Sequence, residues 1–269
     1  MRPTSTSSTT SATTTSAEHH PLELDIAILS RQGGRHYNED ACGHWNSDQH
    51  LVCVMADGAG GHGGGDIASR LAVQHVLERF VAQPHADAAL AAETVRSANQ
   101  AIVSQQLPGT VQAHMHSTLV LLAIDFENLT AAWAHAGDSR LYCFRQGRFL
   151  MHTKDHSFVQ SLADSGLIQP EDMKTHPQRS ELISALGTPA ADLSVDHSPS
   201  PWVVEPGDVY MLCTDGLWEY VDGTHMAHLL SLASGPQHWL EMLEQEVLRA
   251  AAHKPRHDNY SAVAIWTTP

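Results

Sequence analysis

Apolar residues follow two rhythms along this chain, and the architecture should change where the rhythm does. The first rhythm is short. Leu22, Leu24, Ile26 and Ile28 alternate with other residues as in a half-buried strand, so folded structure is expected to begin near Leu22. Residues 51–56 are an unbroken apolar run, read as a second, buried strand, and a glycine-rich loop follows it. Helical spacing then takes over and predicts helices over 66–81 and 86–105. Short runs return over 117–125, 130–136, 140–145 and 149–152, with Asn128, Gly137-Asp138 and Gln146-Gly147 between them, which is a meander signal. Residues 153–192 are polar, with helical turns expected around 158–164 and 179–186, and read as an excursion over one rim of the fold. Strands are expected again over 193–197 and 209–213, a helix over 236–252 and a closing strand over 260–266. Strands in blocks with helix pairs between them predict an α+β fold of antiparallel sheets packed in layers, not a βαβ alternation.

Composition narrows the setting. The chain has 269 residues and 42% apolar content, enough for one compact domain. Its 30 Asp plus Glu against 15 Lys plus Arg give a formal charge of −15, without the basic stripe that nucleic-acid binding requires. No apolar stretch approaches the roughly 18 residues of a membrane span, and the N-terminus carries no hydrophobic signal region. Cys42, Cys53, Cys143 and Cys213 are widely spaced and read as reduced thiols, so a cytoplasmic location is expected. Positions 4–16 are Ser or Thr except Ala12, a composition that buries little. A disordered tail over 1–21 is therefore expected ahead of one domain over 22–269, and a monomer is expected.

Four turn segments each deliver carboxylates: Arg35-His36-Tyr37-Asn38-Glu39-Asp40, Asp57-Gly58, Asp215-Gly216 and Asp258-Asn259. Asp57 and Asp215 each follow an apolar run and precede a glycine, which is how a buried strand hands an acid to the rim of a sheet. Like charges gathered there cannot all stay ionised without cations among them, and oxygen ligands select hard ions such as Mg²⁺ or Mn²⁺. Bound ions would also reconcile an acidic protein with an anionic substrate. The segment Gly58-Ala59-Gly60-Gly61-His62-Gly63 satisfies G-x-G-x-x-G, but Glu78 lies inside a predicted helix and Asp57 would repel a pyrophosphate. The glycines serve better as backbone that approaches a metal, with Gly58 offering its carbonyl.

These segments resemble the metal-dependent Ser/Thr protein phosphatases of the protein phosphatase 2C family in its bacterial form. The matching stretches are Gly34-Arg35 through Asn38-Glu39-Asp40, Ala56-Asp57-Gly58 with Gly60-Gly61-His62, and Ser117-Thr118. Ala136-Gly137-Asp138-Ser139-Arg140, Asp155-His156-Ser157, Thr214-Asp215-Gly216-Leu217-Trp218 and Asp258-Asn259-Tyr260-Ser261 complete the set in the family's order. The resemblance implies a central β-sandwich of two antiparallel sheets flanked by helix pairs, with two metal ions at one end. Asp57 would bridge both ions and Gly58 would give its carbonyl to one. Asp215 and Asp258 would hold the other, while Glu39 and Asp40 act through metal-bound waters or as supports, with Asn259 beside them. Asp138 would join Asp215 in holding a weaker third ion, or simply form a competent Gly-Asp-Ser turn.

The activity implied is Mn²⁺- or Mg²⁺-dependent hydrolysis of phosphoserine and phosphothreonine in proteins by a water shared between two ions. Phosphorylated proteins would be the partners, and a Ser/Thr kinase or its targets the opposing side. Arg35 suits a bidentate phosphate clamp, the alternative being a surface ion pair with Glu39 or Asp40. Some relatives place a histidine after the Asp-Gly pair as proton donor. Ala59 stands there, leaving metal-bound water, or else His62, to protonate the leaving group. His114 and His116 belong to no zinc motif. Two other readings stay open: a pseudophosphatase binding module, although all the metal acids are present, and a hydrolase of small phosphate esters. The excursion over 153–192 is expected to emerge near the metal rim and to read substrates, with Asp155 and Ser157 fixing its start.

Overall fold

The architecture, taken from a computed structural model that describes residues 22–59 and 64–268, is a stack of two antiparallel sheets with helices on both outer faces. The chain opens with β1 (Glu23–Arg31), β2 (Ala41–Asn46), β3 (His50–Ala56) and β4 (Gly58–Ala59), then runs through α1 (Gly65–Ala82) and α2 (Ala88–Gln105). Next come β5 (His116–Ser117), β6 (Leu119–Asp125), β7 (Thr130–Ala136), β8 (Arg140–Arg145) and β9 (Arg148–His152). The excursion holds α3 (Phe158–Asp164) and a 3-10 turn at Pro170–Thr175. Short strands β10 (Asp196–His197) and β11 (Trp202–Val203) lead to β12 (Val209–Cys213), α4 (Asp215–Trp218), α5 (Gly223–Leu232), α6 (Pro236–Ala250) and β13 (Tyr260–Thr268).

One sheet runs β1-β13-β12-β8-β9 and the other β10-β7-β6-β3-β2, with β11 also on β7. The continuous apolar run of β3 is explained by burial on both faces. Leu51, Cys53 and Met55 meet Leu212, Val263 and Ile265 of the facing sheet, while Val52, Val54 and Ala56 pack under α1 and α2. On the opposite outer face, Met211, Ala262 and Ala264 pack against Trp239, Leu240 and Leu243 of α6. The β8–β9 turn uses Gln146 and Gly147 at φ of 53° and 70°, the left-handed pair that suits a tight hairpin.

Most expected elements form, with five differences. The run over 51–56 is the third strand, because β2 precedes it at the sheet edge. Its half-covered Ala-Cys-Gly-His-Trp-Asn sequence carries little periodicity. Residues 179–186 are not helical. Residues 179–180 form a turn and Leu182 and Leu186 form isolated bridges, with the Phe158 amide donating to the Glu181 carbonyl at 2.8 Å and the Leu186 amide to the Ser117 carbonyl at 2.7 Å, so pairing with neighbouring segments outweighs local propensity. The strand expected over 193–197 shortens to β10, and β11 was not foreseen. Helix α5 was missed too, although Asp222 marks its start by accepting from the Thr224 and His225 amides. The expected tail over 1–21 and His62 lie outside the described residues.

The register places the turns that carry Glu39, Asp40, Asp57, Asp138, Asp215 and Asp258 at one end of the sandwich. Ala56 pairs with Ala41, Leu119 with Ala136, Cys213 with both Arg140 and Ala262, and Arg31 with Tyr260. The other end is closed by Arg145, whose Nε and Nη2 donate to the fully buried Asp208 at 2.7 and 2.8 Å. Arg145→Met would leave that carboxylate buried without its partner and should destabilise the fold by about 3–5 kcal/mol in urea unfolding. A loss below about 1 kcal/mol, the level of an exposed pair, would contradict this role for the bridge.

Candidate metal centre

Asp57, Asp40 and the loop of Glu39 are held by neighbours that their own segments do not supply. The Asp57 amide donates to Thr118 Oγ1 at 2.9 Å, its carbonyl accepts from the Thr118 amide at 2.8 Å and from Ser117 Oγ at 2.9 Å, and Thr118 Oγ1 meets Ser139 Oγ at 2.7 Å. Asp40 accepts from Thr214 Oγ1 at 3.0 Å, and Thr214 Oγ1 in turn accepts from the Ser261 amide at 3.0 Å, so the hydroxyl links the two β-strand ends that flank Asp215 and Asn259. Asn259 staples the first acidic loop: its Nδ2 donates to the carbonyls of Gln32 and Tyr37 at 2.6 and 3.0 Å, and its Oδ1 accepts from the Glu39 amide at 2.9 Å. Gly58 packs so closely that an added Cβ would overlap the Gly65 carbonyl, and one on Gly65 would sit 2.5 Å from Glu39 Oε1.

The electrostatics of this gathering are those of crowded like charges in a poorly solvated place. Burial, and then the Asp215 charge, push Asp57 well above the usual carboxylate range, with Asp40, Asp138 and Asp258 adding to the effect. Burial and then Asp138 do the same to Asp215. Asp40 is pushed up to about 7 by burial against the opposing hydroxyl bonds, and Asp138 to about 7 by burial and Asp155. Glu39 is raised by burial and by Asp66. The structure therefore brings together Glu39, Asp40, Asp57, Asp138, Asp215 and Asp258.

Three of the buried oxygens here, Glu39 Oε1, Asp40 Oδ1 and Asp215 Oδ1, have no hydrogen-bond partner. A buried acceptor left unpaired costs about 1–3 kcal/mol. An all-oxygen set with vacant acceptors fits a hard divalent cation. Among the described residues the one close trio of possible metal ligands is His135, His156 and Asp196, whose ligand atoms lie within 4.8 Å of one another. That histidine trio is a different device. The Gly137 amide donates to His156 Nδ1 at 3.3 Å, which leaves the proton on Nε2, 3.4 Å from Asp196 Oδ2, and fixes the turn that carries Asp138.

Arg35 forms an ion pair, though not the one weighed against its role as a phosphate clamp. It pairs not with Glu39 or Asp40 but with Asp258, Nη2 to Oδ2 at 2.5 Å, across the mouth of the site. Asp155 and Ser157 do fix the start of the excursion: Asp155 accepts both Arg140 Nε and Nη2 at 2.7 Å, and Ser157 Oγ caps α3. Arg140 lies 3.5 Å from the Trp218 ring centroid, and Trp218 Nε1 donates to the Asp138 carbonyl at 2.9 Å. This chain of contacts, with Thr118, Ser139 and Thr214, was not assigned a role from sequence. The only signal was that each lies beside or within a matched motif. The excursion does reach the rim, where Arg179 and Ser180 line one cavity with Asp215 and Asp258.

A sandwich between helix pairs with an oxygen-only acid centre at one end has the form of a metal-dependent phosphatase. The chain belongs to the protein phosphatase 2C family, whose description matches residues 30–253. It is 34% identical over 186 residues to the serine/threonine protein phosphatase PstP of Mycobacterium tuberculosis, covering 67% of this chain and 34% of that protein. The chain thus spans about a third of that relative's length. It is 33% identical over 205 residues to the serine/threonine phosphatase stp of Listeria monocytogenes, covering 73% of this chain and 78% of that one. In structure it resembles the catalytic domain of a PstP in complex with two manganese ions, with TM-score 0.76, 29% identity, and coverage of 92% of this chain and 100% of that one. The fold class expected from sequence is the one observed.

Asp40 and Asp138 offer a test that needs no substrate. Their carboxyls hold protons in the folded state up to about 7, against an ordinary 3.8, so their contribution to stability is complete below about pH 4 and lost as pH rises through 7. Melting in EDTA should therefore give a Tm that falls from pH 5 to pH 8, and Asp40→Asn with Asp138→Asn should flatten the slope. A Tm rising across that window and indifferent to the substitutions would refute the crowding.

Proposed function

We propose that this chain is a protein phosphatase that hydrolyses phosphoserine and phosphothreonine in proteins with Mn²⁺ or Mg²⁺. The observation that carries the reading is the set of unpaired buried oxygens on Glu39, Asp40 and Asp215 beside Asp57 and Asp258. Asp57 would be shared between two ions, with the Gly58 carbonyl on one and Asp215 and Asp258 on the other, while Asp138 with Asp215 would offer a third place. Glu39 and Asp40 would accept hydrogen bonds from the ions' water shell. When bound, such ions supply an ionisable water near neutral pH and offset the charge of the phosphate.

The remaining work falls to the protein. Arg35, half-exposed and opposite Asp258, turns its guanidinium to the phosphate oxygens and orients the ester. Thr118, Thr214 and Asn259 hold the acids in register, so that no reorganisation is needed during the reaction. Solvent, or His62, protonates the leaving hydroxyl. The names of the Mycobacterium and Listeria relatives, both serine/threonine phosphatases, support phosphoserine and phosphothreonine as the groups removed; a role opposite a Ser/Thr kinase, in the cytoplasm and as a monomer, is part of the same proposal. No helix among the described residues is long and apolar enough to cross a membrane.

Purified protein should dephosphorylate phosphothreonine peptides and p-nitrophenyl phosphate with Mn²⁺ and stop in EDTA. Asp57→Asn should lower kcat at least about a hundredfold, roughly 2.7 kcal/mol of barrier. Full turnover in EDTA, or an Asp57→Asn variant within about tenfold of wild type, would reject the metal reading. Phosphopeptide binding without any turnover would make the chain a binding module instead.

A further inference from the structure

Cations are scarce here, 15 Lys plus Arg under a net charge of −15, yet four of them converge on one place. Arg35, Arg179, Lys254 and Arg256 line a cavity of about 230 Å³ together with Asp215 and Asp258. Two of the four are already paired, Arg35 with Asp258 at 2.5 Å and Arg179 with Glu219 at 3.4 Å. Lys254 and Arg256 form no ion pair among the described residues, and both are exposed. Lys254 Nζ instead stands 4.8 Å from the Tyr220 ring centroid.

The loop that presents them is built, not incidental. Gly33 has φ of 61° and a Cβ there would overlap the Asp258 carbonyl, while a Cβ on Gly34 would overlap that of Pro255. The Gly34 amide donates to the His257 carbonyl at 3.0 Å, the Lys254 amide to Ala251 at 2.8 Å and the His257 amide to Lys254 at 3.0 Å. Two glycines beside Arg35 thus seat the backbone of residues 254–258 against the first acidic loop. That contact places Lys254 and Arg256 next to the arginine that faces the reacting phosphate.

The room matches more than one anion. A volume of 230 Å³ corresponds to roughly eight waters at about 30 Å³ each, more than a single phosphate fills. Arg179, Glu219, Tyr220 and Lys254 also line a larger cavity of about 900 Å³ beneath the excursion, so a polypeptide has a place to continue.

We propose that Lys254 and Arg256, with Arg179 at the border, form a subsite for a second anion of the substrate, a phosphorylated or acidic side chain near the scissile phosphoresidue. The inference rests on the phosphatase reading and names its preferred substrates: segments with two neighbouring negative groups. In an acidic protein such a subsite also supplies local attraction for those segments, and that attraction is screened by salt.

The experiment measures kcat/KM with Mn²⁺ for a phosphothreonine peptide series in which one position at a time, on either side, carries Ala, Glu or phosphoserine. At one position or more, wild type should favour phosphoserine over Ala by about tenfold, the scale of charge-assisted bonds to a phosphate. The preference should shrink as salt is raised. In Lys254→Ala/Arg256→Ala the ratio should fall to within about twofold, and Lys254→Arg/Arg256→Lys should restore most of it. A matching gain from Glu identifies any anion as the ligand, and a gain from phosphoserine alone identifies phosphate. Absence of a gain at every position, or a gain that survives the double alanine variant, overturns the subsite. Wild type that leaves the Ala reference peptide and p-nitrophenyl phosphate untouched would overturn the phosphatase reading itself, and the subsite with it.

Discussion

The structure depends on one electrostatic constraint: six carboxylates are gathered at one end of a sandwich, where burial denies most of them water. Burial and the Asp215 charge raise the proton affinity of Asp57, burial and the Asp138 charge raise that of Asp215, and Asp40 and Asp138 hold protons up to about 7. Such an arrangement is unfavourable on its own and tolerable only with protons or cations in place. The rest of the fold acts as the frame that keeps these acids from moving apart. Two sheets buried on both faces cannot slide without exposing their cores, and their registers put the turns carrying these six acids at the same end.

Side chains that carry no charge do the positioning. Thr118 holds the Asp57 backbone from the link between β5 and β6, and Thr214 and Asn259 link the first acidic loop to the ends of β12 and β13. Glycines allow the approach, since Gly58 and Gly65 touch where any Cβ would force the loops apart. The same logic extends to the rim, where Gly33 and Gly34 seat the 254–258 loop beside Arg35. Acid centre and cationic rim are thus built from neighbouring turns, one for ions and one for anions.

The parts readable from sequence were those whose physics is local. Strand β3 announced itself because both faces are buried, and Asp57 and Asp215 because each ends such a run before a glycine. The edge strand β2 was silent because only one face is covered, and residues 179–186 misled because their pairing partners, Ser117 and Ser157, lie far away in sequence. Arg35 and Asp258 were both found but not their pairing, since they lie more than two hundred positions apart along the chain. Lys254 and Arg256 could not be placed at the rim at all, since only the packing of their loop on Gly33 and Gly34 brings them there.

The central claim is that the buried acids hold protons until divalent ions take their place. Calorimetric titration with Mn²⁺ at pH 6, repeated in buffers of different ionisation enthalpy, counts the protons released on binding. Ordinary carboxylates would already be ionised at that pH and release none. The account predicts that at least one proton leaves as Mn²⁺ binds, and that fewer leave when Asp40→Asn removes one of the raised groups. Binding with no proton release would contradict it.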